Sequence, residues 1–203
     1  ASLASFEVHL AGTPFIVNAG QLSEEKFVNS AFCQTAAHTA LTLDNLNNCF
    51  SSGDNYDLVR ALEIGPATGG MLVHLAHDGY MNSHGIIHER HVYLTTGGGN
   101  IRGSDTLRYT GGPGEIPKTG IIRFHLHPRV SAAMVSNGTI VLKISTQKAG
   151  WLFKCKGANP VLEPSVYFEG KQRLSCQQII LRMHAQDIRH HSDKSIKWSF
   201  TRQ

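Results

Sequence analysis

Apolar and polar residues alternate along this chain with a period of two, the pattern of strands that bury one face and expose the other. Phe6, Val8 and Leu10 alternate with Glu7 and His9, and Thr39, Leu41 and Leu43 alternate with His38, Ala40 and Thr42. Pro14–Val17 is a short apolar run, and the alternation returns at Met71–Leu75, Val92–Leu94, Ile122–Leu126, Ile140–Ile144, Trp151–Cys155, Ile179–Met183 and Ile196–Phe200. About ten strands are predicted on this count. The breaks are filled with Gly, Asn, Asp, Ser and Pro, and Ala11-Gly12-Thr13 reads as a hairpin turn because Gly12 takes a positive φ without strain. Asp78-Gly79 reads as another turn, followed by Tyr80 as a buried aromatic with its hydroxyl bonded. Only Ser23–Phe27 promises a helical turn, with Ser23 as its cap. No segment holds the helical period for the ~10–12 residues of an ordinary helix, so parallel strands would lack crossovers. The pattern predicts an all-β fold, a large antiparallel β-sandwich with little helix, occupying residues 1–203 as one domain.

Composition agrees with a packed domain: 203 residues, of which 41% are hydrophobic, can bury a sizeable core. No apolar run approaches the ~18–20 residues of a membrane span, so no membrane partner is expected. The net charge of +4 tolerates anionic partners, yet the Lys and Arg are scattered and no zinc-finger, helix-turn-helix or RNP pattern occurs, which argues against nucleic acid. The four cysteines contain no CxxC pair, and a core this large has no need of disulfides. The glycines of Thr96–Gly103 lack the spacing and the Lys-Ser/Thr ending of a phosphate cradle and read as a turn. No Gly-x-Ser-x-Gly elbow supports acyl transfer. The compartment stays open between periplasm and cytoplasm.

The 12 histidines carry the candidate chemistry. In Arg123-Phe124-His125-Leu126-His127 the strand period puts Phe124 and Leu126 on one face and Arg123, His125 and His127 on the other. Two imidazoles and a guanidinium on one face can grip an anionic sugar or, without the Arg, ligate a metal; a polar sheet face whose imidazoles satisfy their neighbours is the alternative. His88-Glu89-Arg90-His91 reads as a salt-bridged sheet surface, and His190-His191 as a solvated loop. His38 opens a strand, where a lone imidazole is more often hydrogen-bonded than a ligand.

Ser5–Val8, Pro14–Gly20, Ala37–Leu41, His77–Tyr80, Ile87–Leu94, Gly103–Asp105, Arg123–Pro128, Ser165–Tyr167 and Gln177–Leu181, in this order and spacing, resemble the C-terminal β-sandwich region of heparinase II/III-like proteins. The resemblance implies a fragment of a larger protein whose N-terminal α/α toroid precedes the sandwich, with Ala1 as a truncation point. It implies β-elimination on uronic-acid-containing anionic polysaccharides, in a cleft between the two domains. The family's catalytic Tyr comes from the toroid, and its His-x-His pair falls ahead of Ala1, so no catalytic residue is carried onto this chain. Arg90, Arg123, His125 and His127 are the residues assigned to substrate binding. The resemblance also places a family zinc site at Asn18 and His38; Asn18 stands where the family has Asp, and this weaker ligand argues for no cofactor, with His38 hydrogen-bonding Asn18 instead. Two functions follow: the sandwich of a polysaccharide lyase, inactive as this piece alone, or a non-catalytic carbohydrate-binding or structural sandwich. The expected partners are an anionic polysaccharide and the helical domain of the same protein, with an apolar face left over that could also mediate homo-oligomers.

Overall fold

The computed structural model describes residues 2–22, 31–49, 56–111, 114–185, 188 and 193–203. The Ser23–Phe27 turn and the His190-His191 pair lie outside them. Among the described residues the chain forms β1 (Val8–Leu10), β2 (Thr13–Val17), β3 (Gly20–Leu22), β4 (Leu41–Leu43), β5 (Val59–Ala67), β6 (Gly70–Tyr80), a one-turn helix α1 (Met81–His84), β7 (Ile86–Thr95), β8 (Asn100–Tyr109), β9 (Thr119–Leu126), β10 (Val130–Met134), β11 (Ile140–Ile144), β12 (Gly150–Lys156), β13 (Asn159–Gly170), β14 (Gln172–His184) and β15 (Asp193–Arg202). They build two sheets. The smaller runs β1-β2-β9-β14-β13-β3, with β4 also on β9, and the larger runs β10-β11-β12-β15-β8-β7-β6-β5. Pairing is antiparallel except where β3 lies parallel to the end of β13. The fold is the all-β sandwich that the alternation predicts.

The core lies between the sheets. Ile122, Phe124 and Leu126 of β9 and Ile179 and Leu181 of β14 face Phe153 of β12 and Ile196, Trp198 and Phe200 of β15, all buried. Phe124 is central, with ring centroids 5.0 Å from Trp198, 5.5 Å from Phe200 and 5.6 Å from Phe153. Each such side chain contributes roughly 1.5–3 kcal/mol by leaving water. The hairpin at Ala11-Gly12 has both residues at positive φ, 49° and 78°, as the twist of a two-residue connection requires.

Three expectations change. Five strands escape the alternation: β3, β5, β8, β10 and β13. β8 hides because two of its inward positions are Gly103 and Asp105, and β13 because Pro160 and Pro164 interrupt it. Those prolines are tolerated because β14 pairs with β13 along its length, whereas β3 covers its other side only at Phe168–Gly170. Asp78-Gly79 is no turn; it lies inside β6 at an irregularity between His77 and Tyr80. A Cβ on Gly79 would run into the backbone carbonyl of Asn48, so the strand passes there only as glycine. The His88–His91 segment is a salt-bridged surface only on its outer side, where Glu89 pairs with Arg108 at 3.1 Å; His88 and Arg90 are buried on the inner face of β7.

The larger sheet overhangs the smaller. Leu62 and Ile64 on β5 stand in register with Leu75 and Val73 on β6 and with Arg90 and Val92 on β7, on the face that is core elsewhere. Beyond the rim of the smaller sheet they are 59% and 67% exposed, and Met71 and Leu94 share the exposure. Tyr80 is fully buried and its hydroxyl donates to the Leu41 carbonyl at 2.7 Å. The four thiols are not joined in disulfides.

Candidate functional site

β2 and β4 share one edge of β9: β2 pairs at Leu126 and His125, β4 at Ile122, Ile121 and Gly120. Residues 31–37 return across the outer face of the smaller sheet as two short 3₁₀ turns, Ala31–Cys33 and Thr35–Ala37, where the Ala36 carbonyl meets His125. This return walls a cavity of about 830 Å³, with Phe32, His125, Ser165, Phe168, Arg173 and Gln178 among its lining. Phe32 and Phe168 meet edge to face at 4.7 Å. Gln178 donates from Nε2 to the Pro164 carbonyl at 3.2 Å, and its Oε1 is buried with no partner. Aromatic walls, a guanidinium and an unsatisfied carbonyl oxygen are groups that recognise a hydroxylated anion.

His125 lies at this cavity, on the face the alternation assigns. Its Nε2 meets the Ala36 carbonyl at 3.0 Å and its Nδ1 meets Ser165 Oγ at 3.0 Å. A carbonyl only accepts, so Nε2 carries the proton and Ser165 donates to Nδ1. Burial, foremost, pushes the imidazole down to about 4, and Arg123 and His38 lower it further against the bond to Ala36. So depressed a base, held by a carbonyl where a carboxylate would stabilise its charged form, is poorly suited to removing a proton near neutral pH. Its geometry fastens the return segment to the sheet. The thiol of Cys176, opposite Ser165, is raised by burial and is not a ready thiolate.

The other candidates are dispersed. Arg123 donates from Nη1 to Thr42 Oγ1 at 2.8 Å, half-buried under β4. His127 follows β9, accepts the Arg129 N–H at 3.2 Å and packs edge-on against Tyr167 at 5.0 Å. Arg90 lies between the sheets. Its Nε donates to Asp105 Oδ1 at 2.7 Å, and its Nη1 to the carbonyls of Ala4 and Thr39, each at 2.8 Å. It ties three parts of the chain together and presents no free cation.

Asp105 gathers the rest of this buried group. Gly79 N–H donates to His77 Nδ1 at 3.2 Å, so His77 carries its proton on Nε2 and donates to His88 Nδ1 at 2.9 Å. His88 Nε2 then donates to Asp105 Oδ1 at 2.8 Å, and Trp198 Nε1 donates to Oδ2 at 2.8 Å. The order of donors fixes both imidazoles as neutral, and burial holds both below the ordinary histidine range. Asp105 stays ionised: although burial works against its charge, Arg90 and His88 hold it far below the usual carboxylate range.

Asn18 and His38 do not form the expected pair. Asn18 Oδ1 accepts Thr39 N–H at 2.9 Å and its Nδ2 donates to Glu7 at 3.0 Å, while His38 Nε2 donates to the Phe32 carbonyl at 3.0 Å. Asn18 is spent on fastening β2 to its neighbours, and among the described residues no three His, Cys, Asp or Glu side chains are grouped to hold a metal ion. The residues present do not fit zinc.

The alternation misses Ser165, Arg173, Phe168 and Gln178. Phe168 and Arg173 are directly paired across the β13–β14 hairpin, where Gly170 has φ 60°. An aromatic and a cation at equal distance from a glycine turn is the signal that could have found them.

An antiparallel sandwich with a largely apolar cavity on one outer face, edged by a few polar groups, is the class of domain these observations define. The Heparinase II/III-like, C-terminal family model matches residues 1–199, and the chain belongs to that family, a domain type associated with polysaccharide lyases. Over 221 aligned residues it is 25% identical to FtsZ-localized protein C of Caulobacter vibrioides (strain NA1000 / CB15N), covering 98% of this chain and 37% of that protein. The heparinase III-BT4657 gene product superposes with a TM-score of 0.70 at 12% identity, over 98% of this chain and 29% of its own. Another heparinase III structure gives 0.67 at 15% identity, over 99% and 29%. These likenesses establish the fold. The chain spans 37% or less of the length of each of these three relatives. Among the described residues no helix is long and apolar enough to cross a membrane.

Proposed function

We propose that residues 1–203 are the sandwich domain of a larger heparinase-like protein, which binds a uronic-acid-containing anionic glycan on the outer face of the smaller sheet. A helical domain on its N-terminal side would supply the base and acid of β-elimination. The observation that carries this reading is the cavity of about 830 Å³, where Arg173 and the unpartnered Gln178 Oε1 face two aromatic rings. Arg173 suits a carboxylate, and Gln178 Oε1 suits a sugar hydroxyl that donates to it. The depressed His125 and the dispersed Arg123, His127 and Arg90 support binding without turnover by this domain alone.

Calorimetric titration with oligouronates tests it, alongside absorbance of the unsaturated uronate product. Binding without product is expected, and Arg173→Ala should weaken it about tenfold or more, the scale of a lost charge-assisted hydrogen bond. Binding of no uronate oligosaccharide, or binding indifferent to both Arg173→Ala and Gln178→Ala, defeats the reading. A second reading, a non-catalytic sandwich localized by FtsZ, is favoured by the match to FtsZ-localized protein C along 98% of this chain. Co-sedimentation with FtsZ is its measurement.

A further inference from the structure

The outer face of the larger sheet, on the far side of the core from the cavity, carries four cations that no ion pair among the described residues engages. The register sets them in two rows. One runs Lys156, Lys197, Ser104, His91, His74 across β12, β15, β8, β7 and β6. The other runs Lys154, Ser199, Arg102, Tyr93 across β12, β15, β8 and β7. Between the rows lies a depression of about 420 Å³ lined by all four cations and by Ser104 and Ser199.

Three features mark this shelf as more than a solvated face. Lys156 and Lys197 are directly opposed, an arrangement that costs stability unless an anion lies between the two charges. Arg102 and the three lysines are exposed, and among the described residues no ion pair engages them, while neighbouring Arg108 is matched by Glu89 and Asp193. Arg102 is also held in place, its guanidinium 4.4 Å over the Tyr93 ring, whose hydroxyl is anchored on the Thr68 carbonyl at 2.7 Å. Four unpaired cations on one shelf equal the whole chain's net charge of +4.

We infer that this shelf is a second anion-binding surface, which takes a linear polysaccharide bearing carboxylate or sulfate groups. The inference extends the proposed glycan binding to a separate face. The chemistry of the shelf selects this occupant. It lies mid-sheet, where the backbone groups are already paired between strands, so an acidic peptide finds no edge to extend and only side chains can recognise the ligand. Among its rings Tyr93 has Arg102 on its face, His91 is stacked on His74 at 4.2 Å and Trp198 is buried, so none is an open platform for stacking a nucleic-acid base. Three lysines, an arginine and two serine hydroxyls stand around its depression, and among the described residues no amphipathic helix lies beside it to enter a bilayer, so its polar groups suit a chain of anions and hydroxyls better than a lipid surface. Neighbouring strands stand ~4.8 Å apart, so successive cations follow one another at spacings an extended polyanion can match.

The test compares wild-type chain with Lys156→Ala/Lys197→Ala and, separately, Arg173→Ala. Long polygalacturonate and dextran sulfate probe the shelf, and a short oligouronate probes the cavity, all in 0.1 M salt. The double variant should lose about tenfold in affinity for both polymers, keep oligouronate affinity, and keep or slightly raise its melting temperature, since both lysines are exposed and like-charged. Unchanged polymer affinity in the double variant overturns the shelf, whatever the cavity does. Tighter binding of single-stranded DNA or of anionic lipid vesicles than of either polymer overturns the choice of ligand. Loss of oligouronate binding confined to Arg173→Ala would confirm that the two faces act separately, and its absence would count against the cavity alone.

Discussion

His88-Glu89-Arg90 on β7 and Arg123-Phe124-His125 on β9 each place an imidazole and a guanidinium two residues apart on one face of a strand. The first pair points between the sheets, and the second points away from them. Inside, Arg90 and His88 converge on one carboxylate, Asp105, with 0% exposure at both His88 and Asp105. Outside, Arg123 goes to the Thr42 hydroxyl, and His125 goes to Ser165 and a carbonyl. The inner group encloses an ion pair that must be complete, because an unmatched charge there has no water to fall back on. The outer group tolerates neutral partners and leaves room for a ligand. Identical spacing therefore carries opposite roles, and the deciding quantity is what covers the face.

Removing the inner carboxylate should give the largest effect. Asp105→Asn keeps the shape but takes away the charge that balances Arg90, and it puts amide hydrogens against groups that already donate. Breaking a buried pair from one side costs roughly 3–5 kcal/mol. Urea unfolding followed by tryptophan fluorescence reads this directly, since Trp198 bonds to Asp105. A loss under about 1 kcal/mol would mean that the inner group is not a closed electrostatic unit, and the contrast between the faces would fail.

Much of this was legible in the sequence, and the illegible parts share a cause. The alternation of Phe124, Leu126 and His125 assigned the faces of β9 correctly, because every inward position there is apolar. β8 hid because Asp105 occupies a core position, and no local pattern says that Arg90, His88 and Trp198 from other strands will meet it. The same non-local convergence explains why Arg90 read as a surface cation. The cavity depends on the return segment crossing the sheet and on a hairpin 40 residues further along than His125, where Ser165 sits. Sequence spacing gives which face a residue takes; it does not give which faces are later covered.

Acidification should expose the second-largest difference. His125 falls from an ordinary 6.5 to about 4 in the folded chain, chiefly through burial. Above about pH 6.5 the imidazole is neutral in both folded and unfolded states and nothing is lost. As the pH falls below that value, the unfolded chain takes up a proton that the folded chain refuses, so stability drops until the folded group also titrates near 4. For His125 alone the loss between neutral pH and pH 5 is about 2 kcal/mol. His77 and His88, also lowered by burial, act in the same direction. Denaturation midpoints at pH 7.5, 6 and 5 should decline steadily, and His125→Gln should flatten part of the decline. Equal midpoints across that range would show that the buried imidazoles are not held neutral.

The smallest effect belongs to the outer face's own ion pair. Arg182 and Glu163 bond across β14 and β13 in a strand-to-strand pair whose side chains are 55% and 33% exposed. The geometry is as direct as that of Arg90 with Asp105, but water competes for both partners and salt screens their attraction. Glu163→Gln should therefore cost between about 0 and 1 kcal/mol in the same urea assay, less in high salt. The two substitutions are matched, each turning one carboxylate into an amide beside an arginine. A cost at Glu163 approaching that at Asp105 would show that contact geometry, and not enclosure, sets the strength of ion pairs in this sandwich.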